Sequence, residues 1–168
     1  LRASECDHLP VLPREPVPPF RKVVVLGLDG LDPRRAQSLI RSGQLPHLAA
    51  LQQQGGFTHL ATTTPAQTPV AWSTFATGVN PGGHGVYDFI SRAPARYETS
   101  LALARHEHRS VLLPPAAINL RSGTPFWSYL SAAGIPSTVL RCPCTYPAER
   151  LRGRLLSGMG VPDLRGGV

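Results

Sequence analysis

Two positions in the sequence carry side chains that could do chemistry on an anionic substrate. Asp29 ends the apolar run VVVLGLDG, and Thr68 is the fourth of six threonines in the stretch TTTPAQTPVAWSTFATG, residues 62–78. A carboxylate suits a divalent cation. A hydroxyl becomes a useful nucleophile when a metal or a base lowers its pKa. Together they would suit metal-assisted attack on a phosphoryl group.

Each of these residues also has a purely structural explanation. Asp29 precedes Gly30, and an Asp-Gly pair is typical of a turn. Thr68 precedes Pro69, a pair that commonly opens a helix, and the same pair recurs at Thr124. A helix N-terminus nevertheless offers N–H groups and the positive end of the dipole to an anion. The residues alone leave both alternatives open.

The elements that must position Asp29 and Thr68 can be predicted from local patterns. Lys22–Leu28 is a continuous β-branched, apolar run, which favours a strand buried inside a parallel sheet. Ligands bind at the carboxyl ends of such strands, where Asp29 lies. Further short strands are predicted at Phe57–Ala61, Ser110–Leu113 and Ser137–Arg141.

Three predicted helices share one pattern of start and stop. Each begins with a capping side chain and a proline, and each ends at a glycine. The starts are Asp32-Pro33, Thr68-Pro69 and Thr124-Pro125, and the stops are Gly43, Gly78 and Gly134. A fourth helix is predicted over Leu45–Gln54. Strands that alternate with helices predict an α/β fold, a mostly parallel sheet with flanking helices.

The 168 residues divide by composition into an arm and one domain. Residues 1–21 are proline-rich without a repeat, which indicates a linker or extended arm. Residues 22–168 are predicted to form the domain, and the chain as a whole is 42% hydrophobic, enough to bury a core. No apolar run reaches the ~18–20 residues of a membrane span.

The charge distribution and the cysteines give no indication of a nucleic-acid-binding, metal or redox motif. The net charge is +7, with a single lysine, Lys22, and the arginines are scattered rather than clustered. This distribution is typical first of a solvated surface, and it also favours anionic ligands by electrostatic steering. It contains no nucleic-acid-binding motif. Cys142 and Cys144 form a Cys-Pro-Cys segment rather than a Cys-x-x-Cys metal or redox motif. The cysteines therefore indicate no site.

Four segments together resemble a known family. They are VVVLGLDGLD, TPAQTPVAWSTFATGVNPGGHGVYDF, GTPFWSYLSAAGIPSTVLR and LSGMGVPDLRG. They are similar to the alkaline phosphatase superfamily, in its type I phosphodiesterase/nucleotide pyrophosphatase branch of bacterial form. The resemblance extends from about Lys22 to Gly166, and its long Thr-Pro to His-Gly string is far more specific than a short motif.

The resemblance implies a mechanism and its site residues. It makes Asp29 a metal ligand, and it makes Thr68 both the nucleophile and a ligand through its oxygen. It also implies two divalent metal ions, zinc above all, and a small-molecule phosphate ester or nucleotide as substrate. It assigns no ligand to His84, for which a structural role in a Gly-rich turn is expected. The implied activity is hydrolysis of phosphoric esters, more of diesters than of monoesters.

The sequence departs from the family pattern in two respects. The family's remaining Asp and His ligands do not occur before Val168, so we expect the N-terminal portion of a longer enzyme, inactive by itself. Ala71 stands where nucleotide pyrophosphatases have an Asn that contacts the phosphoryl oxygens. Two other hypotheses remain: a non-catalytic anion-binding α/β remnant, and an Arg-rich domain that binds acidic partners.

Overall fold

The computed structural model describes residues 20–93, 95, 97–107 and 116–161. These residues form two compact units, one over Val24–Thr62 and one that contains the chain from Thr63 onward. The predicted proline-rich arm lies outside the described residues except for its last two positions.

The unit Val24–Thr62 contains two helices, α1 (Pro33–Arg41) and α2 (Pro46–Gln54). The side chain of Asp32 caps α1 by accepting the Arg34 N–H at 2.9 Å. The chain then leaves α1 through Gly43, whose φ of +76° is the left-handed conformation that glycine adopts without strain. Both predicted helices are confirmed, and α2 begins one residue later than predicted, with Leu45 as its N-cap.

Both strands predicted before Thr62 are wrong. Residues 22–28 form neither helix nor strand, and the side chains of Val24 and Leu26 are 75% and 78% exposed. Phe57–Ala61 also lacks regular structure. An apolar run predicts a strand only where neighbouring strands accept its hydrogen bonds and cover its faces, and the described residues supply no such neighbour here.

The second unit contains three helices: α3 (Thr68–Thr77), α4 (Pro81–His84) and α5 (Phe126–Ala132). The predicted stops are confirmed at Gly78 and Gly134, with φ of +70° and +78°. The predicted start of α5 is off by one residue, because Pro125 rather than Thr124 is its N-cap. Among the helices described, none has the length and hydrophobicity to cross a membrane.

The strands of the second unit form three separate pairs. The pairs are β1 (Ile90–Arg92) with β2 (Thr99–Leu101), β3 (Ala104–Glu107) with β4 (Ala116–Asn119), and β5 (Ser137–Leu140) with β6 (Gly153–Leu156). The first two are antiparallel and the third is parallel. The described part of the chain is thus α/β without the mostly parallel sheet that was predicted. The predicted strand Ser110–Leu113 lies outside the described residues.

The core of the second unit lies where α3, α5 and the β5–β6 pair meet. Ala76 and Trp127 are 0% and 1% exposed and pack with Cys142. Gly153 permits the close approach of β6 to β5: its φ is +140°, and a Cβ there would lie 1.9 Å from the carbonyl oxygen of Ser137. This core holds the helix that carries Thr68.

Candidate active site

Thr68 is the first residue of α3, and Gln67 occupies the N-cap with extended backbone (φ −115°, ψ 145°). The sequence predicted Thr68 itself as the cap, so the helix begins one residue earlier than expected. Thr68 is half-buried, whereas Pro69 and Val70 behind it are buried. Thr68 is therefore not the N-cap residue of α3, and capping does not explain why a threonine stands at this position.

The start of α3 offers fewer amide donors than a typical helix. Pro69 has no N–H, and the N–H groups of Val70 and Ala71 both donate to the Gln67 carbonyl, at 3.1 and 2.9 Å. The expectation of several available N–H groups is therefore corrected. Any attraction of α3 for an anion must come mainly from the helix dipole.

Three other threonines of the stretch use their hydroxyls in local contacts. Thr63 Oγ1 donates to the Pro65 carbonyl at 2.8 Å. Thr77 Oγ1 donates to the Ser73 carbonyl at 2.7 Å, and Thr74 bonds to a histidine. These contacts give the three threonines structural roles.

His84, the histidine that contacts Thr74, is fully buried. Its Nδ1 accepts the N–H of Val86 at 3.1 Å, so the proton is on Nε2, which donates to Thr74 Oγ1 at 2.9 Å. Burial and then the positive charge of Arg121 lower the pKa of His84 from its usual 6.5. A neutral imidazole with both nitrogens engaged fits the expected structural role.

The two cysteines of the Cys-Pro-Cys segment are buried free thiols. Burial is the main cause that raises the pKa of Cys142 and of Cys144 from 9.0 to about 11. The thiolate is the reactive form of cysteine. Neither thiol is therefore a nucleophile near neutral pH, in line with the sequence analysis.

Arg121 and Glu149 form a largely buried ion pair in the second unit. The side chain of Arg121 is 1% exposed and pairs with Glu149, which is 27% exposed. The other carboxylate oxygen of Glu149 accepts the Trp127 Nε1–H at 2.7 Å, and the guanidinium lies 5.7 Å from the Trp127 ring centroid. No local motif in the sequence indicates this cluster, because its members are spread over 28 residues.

Asp29 belongs to the other unit and is exposed. Its convergence with Thr68 on one metal stays a prediction. No group of three or more His, Cys, Asp or Glu side chains that could hold a metal occurs among the described residues. Asp29 and Thr68 offer two oxygen donors, whereas catalytic zinc sites use three protein ligands. The described residues thus do not by themselves complete a zinc site.

Comparison with known protein families gives a match to type I phosphodiesterase/nucleotide pyrophosphatase over residues 23–161. The matched region includes both Asp29 and Thr68. The comparisons with curated proteins and with solved structures give no match. The matched family hydrolyses phosphoric esters, acts on phosphate ester or nucleotide substrates, and is generally metal-dependent.

Proposed function

Because the chain belongs to the type I phosphodiesterase/nucleotide pyrophosphatase family, we propose that it forms part of a metal-dependent phosphodiesterase with Thr68 as its nucleophile. The position of Thr68 carries the proposal. Thr68 opens α3 at the positive end of the helix dipole, half-buried on a buried first turn.

The proposed reaction has two steps. The Oγ1 atom of Thr68 attacks phosphorus, an O–P bond forms, and the bond from phosphorus to the leaving oxygen breaks while that oxygen gains a proton. Water then cleaves the phosphothreonine ester and restores the hydroxyl. A divalent metal, when bound, would lower the pKa of the threonine hydroxyl.

Asp29 is the proposed partner of Thr68 in holding a metal. A carboxylate and a hydroxyl are both oxygen donors, but two ligands fall short of the three that catalytic zinc needs. We therefore propose that further ligands come from residues other than those described. Without those further ligands, the protein should bind zinc weakly and should not turn over substrate.

Ala71 bears on substrate preference. Its methyl group donates no hydrogen bond, and its N–H is already bonded to Gln67. The residue cannot stabilise a developing oxyanion as a side-chain donor would. The preference of nucleotide pyrophosphatases therefore does not carry over, and a general phosphodiester is the proposed substrate class.

The test uses the longest open reading frame that encodes these residues, purified with zinc or manganese. An activated aryl phosphodiester should be hydrolysed, Thr68→Ala should abolish turnover, and mass spectrometry should find the phosphoryl adduct on Thr68. Thr124→Ala is the matched control, since it too precedes a proline, and it should keep its turnover. Full activity in Thr68→Ala would refute the assignment. Phosphate binding without turnover in the unsubstituted protein would favour the non-catalytic alternative.

A further inference from the structure

The loop Cys142–Tyr146, named here the cysteine loop, lies between the buried ion pair and the first turn of α3. On one side its Cys144 carbonyl accepts two donors, Nη1 of Arg121 at 3.2 Å and Nδ2 of Asn119 at 2.9 Å. The Asn119 amide also donates to the Tyr146 carbonyl at 3.0 Å. Two side chains thus hold the loop from behind.

The cysteine loop is also held through Thr145. Thr145 is fully buried, and its hydroxyl donates to the Cys142 carbonyl at 2.6 Å while accepting the Gly158 N–H at 3.0 Å. The Ser157 hydroxyl donates to the Thr145 carbonyl at 2.8 Å. These buried and part-buried hydrogen bonds fix the backbone of the cysteine loop.

On its other side the cysteine loop contacts α3. The Cys144 thiol donates to the Pro69 carbonyl, with an S···O distance of 3.8 Å. Pro69 directly follows Thr68, and both Pro69 and Cys144 are buried. Because the raised pKa keeps Cys144 protonated, the thiol remains a donor toward that carbonyl near neutral pH.

We propose that Arg121 is a positioning residue for Thr68: through the cysteine loop, its guanidinium fixes the first turn of α3. The inference rests on the proposed function. Arg121 acts through Cys144, so it is not a catalytic residue. A nucleophile misplaced by about 1 Å can cost about a hundredfold in rate. A fixed first turn therefore matters to the proposed reaction.

The role requires an arginine rather than any cation. Arg121 uses Nη2 for the Glu149 carboxylate and Nη1 for the Cys144 carbonyl. A lysine ammonium is a single point charge on a flexible stem and lacks this planar fork. Arg121→Lys would therefore retain the charge beside Glu149 and lose the hold on the cysteine loop.

The first readout is amide hydrogen exchange followed by NMR, which does not depend on activity. In Arg121→Lys, the amides of Val70 and Ala71 should exchange at least about tenfold faster, because local opening becomes easier. The Ala133 amide, which donates to Tyr129 in α5, should stay unchanged. Arg105→Lys is the control, since Arg105 forms an exposed pair with Glu107 in the same unit.

The outcomes separate this inference from the proposed function. Selective loss of protection at Val70 and Ala71 supports it. Unchanged protection there, or an equal loss at Ala133, overturns it. If Arg121→Lys does not fold, Asn119→Ala serves as the second variant, with the same expected pattern and the same overturning results.

The second readout is steady-state kinetics on the aryl phosphodiester with the full reading frame. In Arg121→Lys, kcat should fall about tenfold or more with KM nearly unchanged, because the substrate still binds while the nucleophile is misaligned. An unchanged kcat overturns the inference. Absence of turnover in the unsubstituted protein refutes the proposed function instead, and the exchange result then decides alone whether Arg121 fixes the turn.

Discussion

Glu149→Gln tests the buried ion pair and should lower the free energy of unfolding substantially. Glu149 accepts Nη2 of Arg121 with one oxygen and Nε1 of Trp127 with the other. A glutamine amide has only one oxygen. Its NH2 group must therefore face either the guanidinium or the indole N–H, both of which are donors.

The magnitude follows from burial and hydrogen bonding. Loss of one hydrogen bond to a charged group costs ~1.5–3 kcal/mol, and removal of one partner from a fully buried pair costs ~3–5 kcal/mol. Glu149 is 27% exposed, so part of the charge effect is screened by solvent. We expect a loss of ~2–4 kcal/mol, since these terms overlap.

The assay is urea and thermal unfolding of Glu149→Gln beside Glu107→Gln. Glu107 pairs with Arg105 on the surface, where the side chains are 38% and 62% exposed, so its change should cost ~0–1 kcal/mol. For a chain of this size ~2–4 kcal/mol corresponds to a Tm decrease of roughly 4–16 °C. Equal stability of the two variants, within about 0.5 kcal/mol, would refute the energetic role of the buried pair.

Two further predictions concern the backbone and the thiols. Gly153→Ala should destabilise the protein by several kcal/mol more than Gly85→Ala. A Cβ at Gly153 would overlap the β5 backbone, whereas at Gly85 the only cost is the positive φ of +75°. Equal urea midpoints of the two variants would contradict this. The free energy of unfolding should fall as the pH rises from about 9 to about 11, because the unfolded chain then loses thiol protons that folded Cys142 and Cys144, with pKa values of about 11, retain. Replacement of both cysteines by alanine should flatten this decline, and an unchanged slope would assign it to other groups.

The parts of the fold that local sequence determines were predicted well. The Asp32 carboxylate caps α1 by accepting the N–H of Arg34, two residues further along the chain. Gly134 ends α5 with a left-handed φ. At that end the Ile135 N–H donates to the Leu130 carbonyl at 2.8 Å and the Gly134 N–H to that of Ser131 at 3.0 Å. Such contacts lie within one turn, so residue types at fixed offsets suffice to predict them.

The parts that depend on distant partners were not predicted. Residues 22–28 have strand-like composition, but composition does not supply the neighbouring strands that a buried strand requires. The hairpin of β1 and β2 was missed because its strands are three residues long and exposed, without an alternating pattern. Strand β5 was found, yet nothing in its own residues indicates the parallel partner β6.

The candidate site shows the same division. Thr68 was identified from a long contiguous motif, and its place at the start of α3 follows from the local Thr-Pro pair. Arg121 and Glu149 are 28 residues apart and belong to no motif, so only the structure brings them together. The sequence therefore pointed to Thr68 as the proposed nucleophile but gave no sign of the Arg121–Glu149 pair.

The cysteine loop has a consequence for the order in which the second unit folds. The pair Arg121–Glu149 closes a segment of 28 residues, whereas the contact of Cys144 with Pro69 closes one of 75 residues. Closing the longer segment costs about 0.9 kcal/mol more in chain entropy, and contacts of large sequence separation form slowly. We expect the mutational φ-value of the folding transition state to be higher at Glu149 than at Val70. The first turn of α3 would then pack late, against a loop that is already formed.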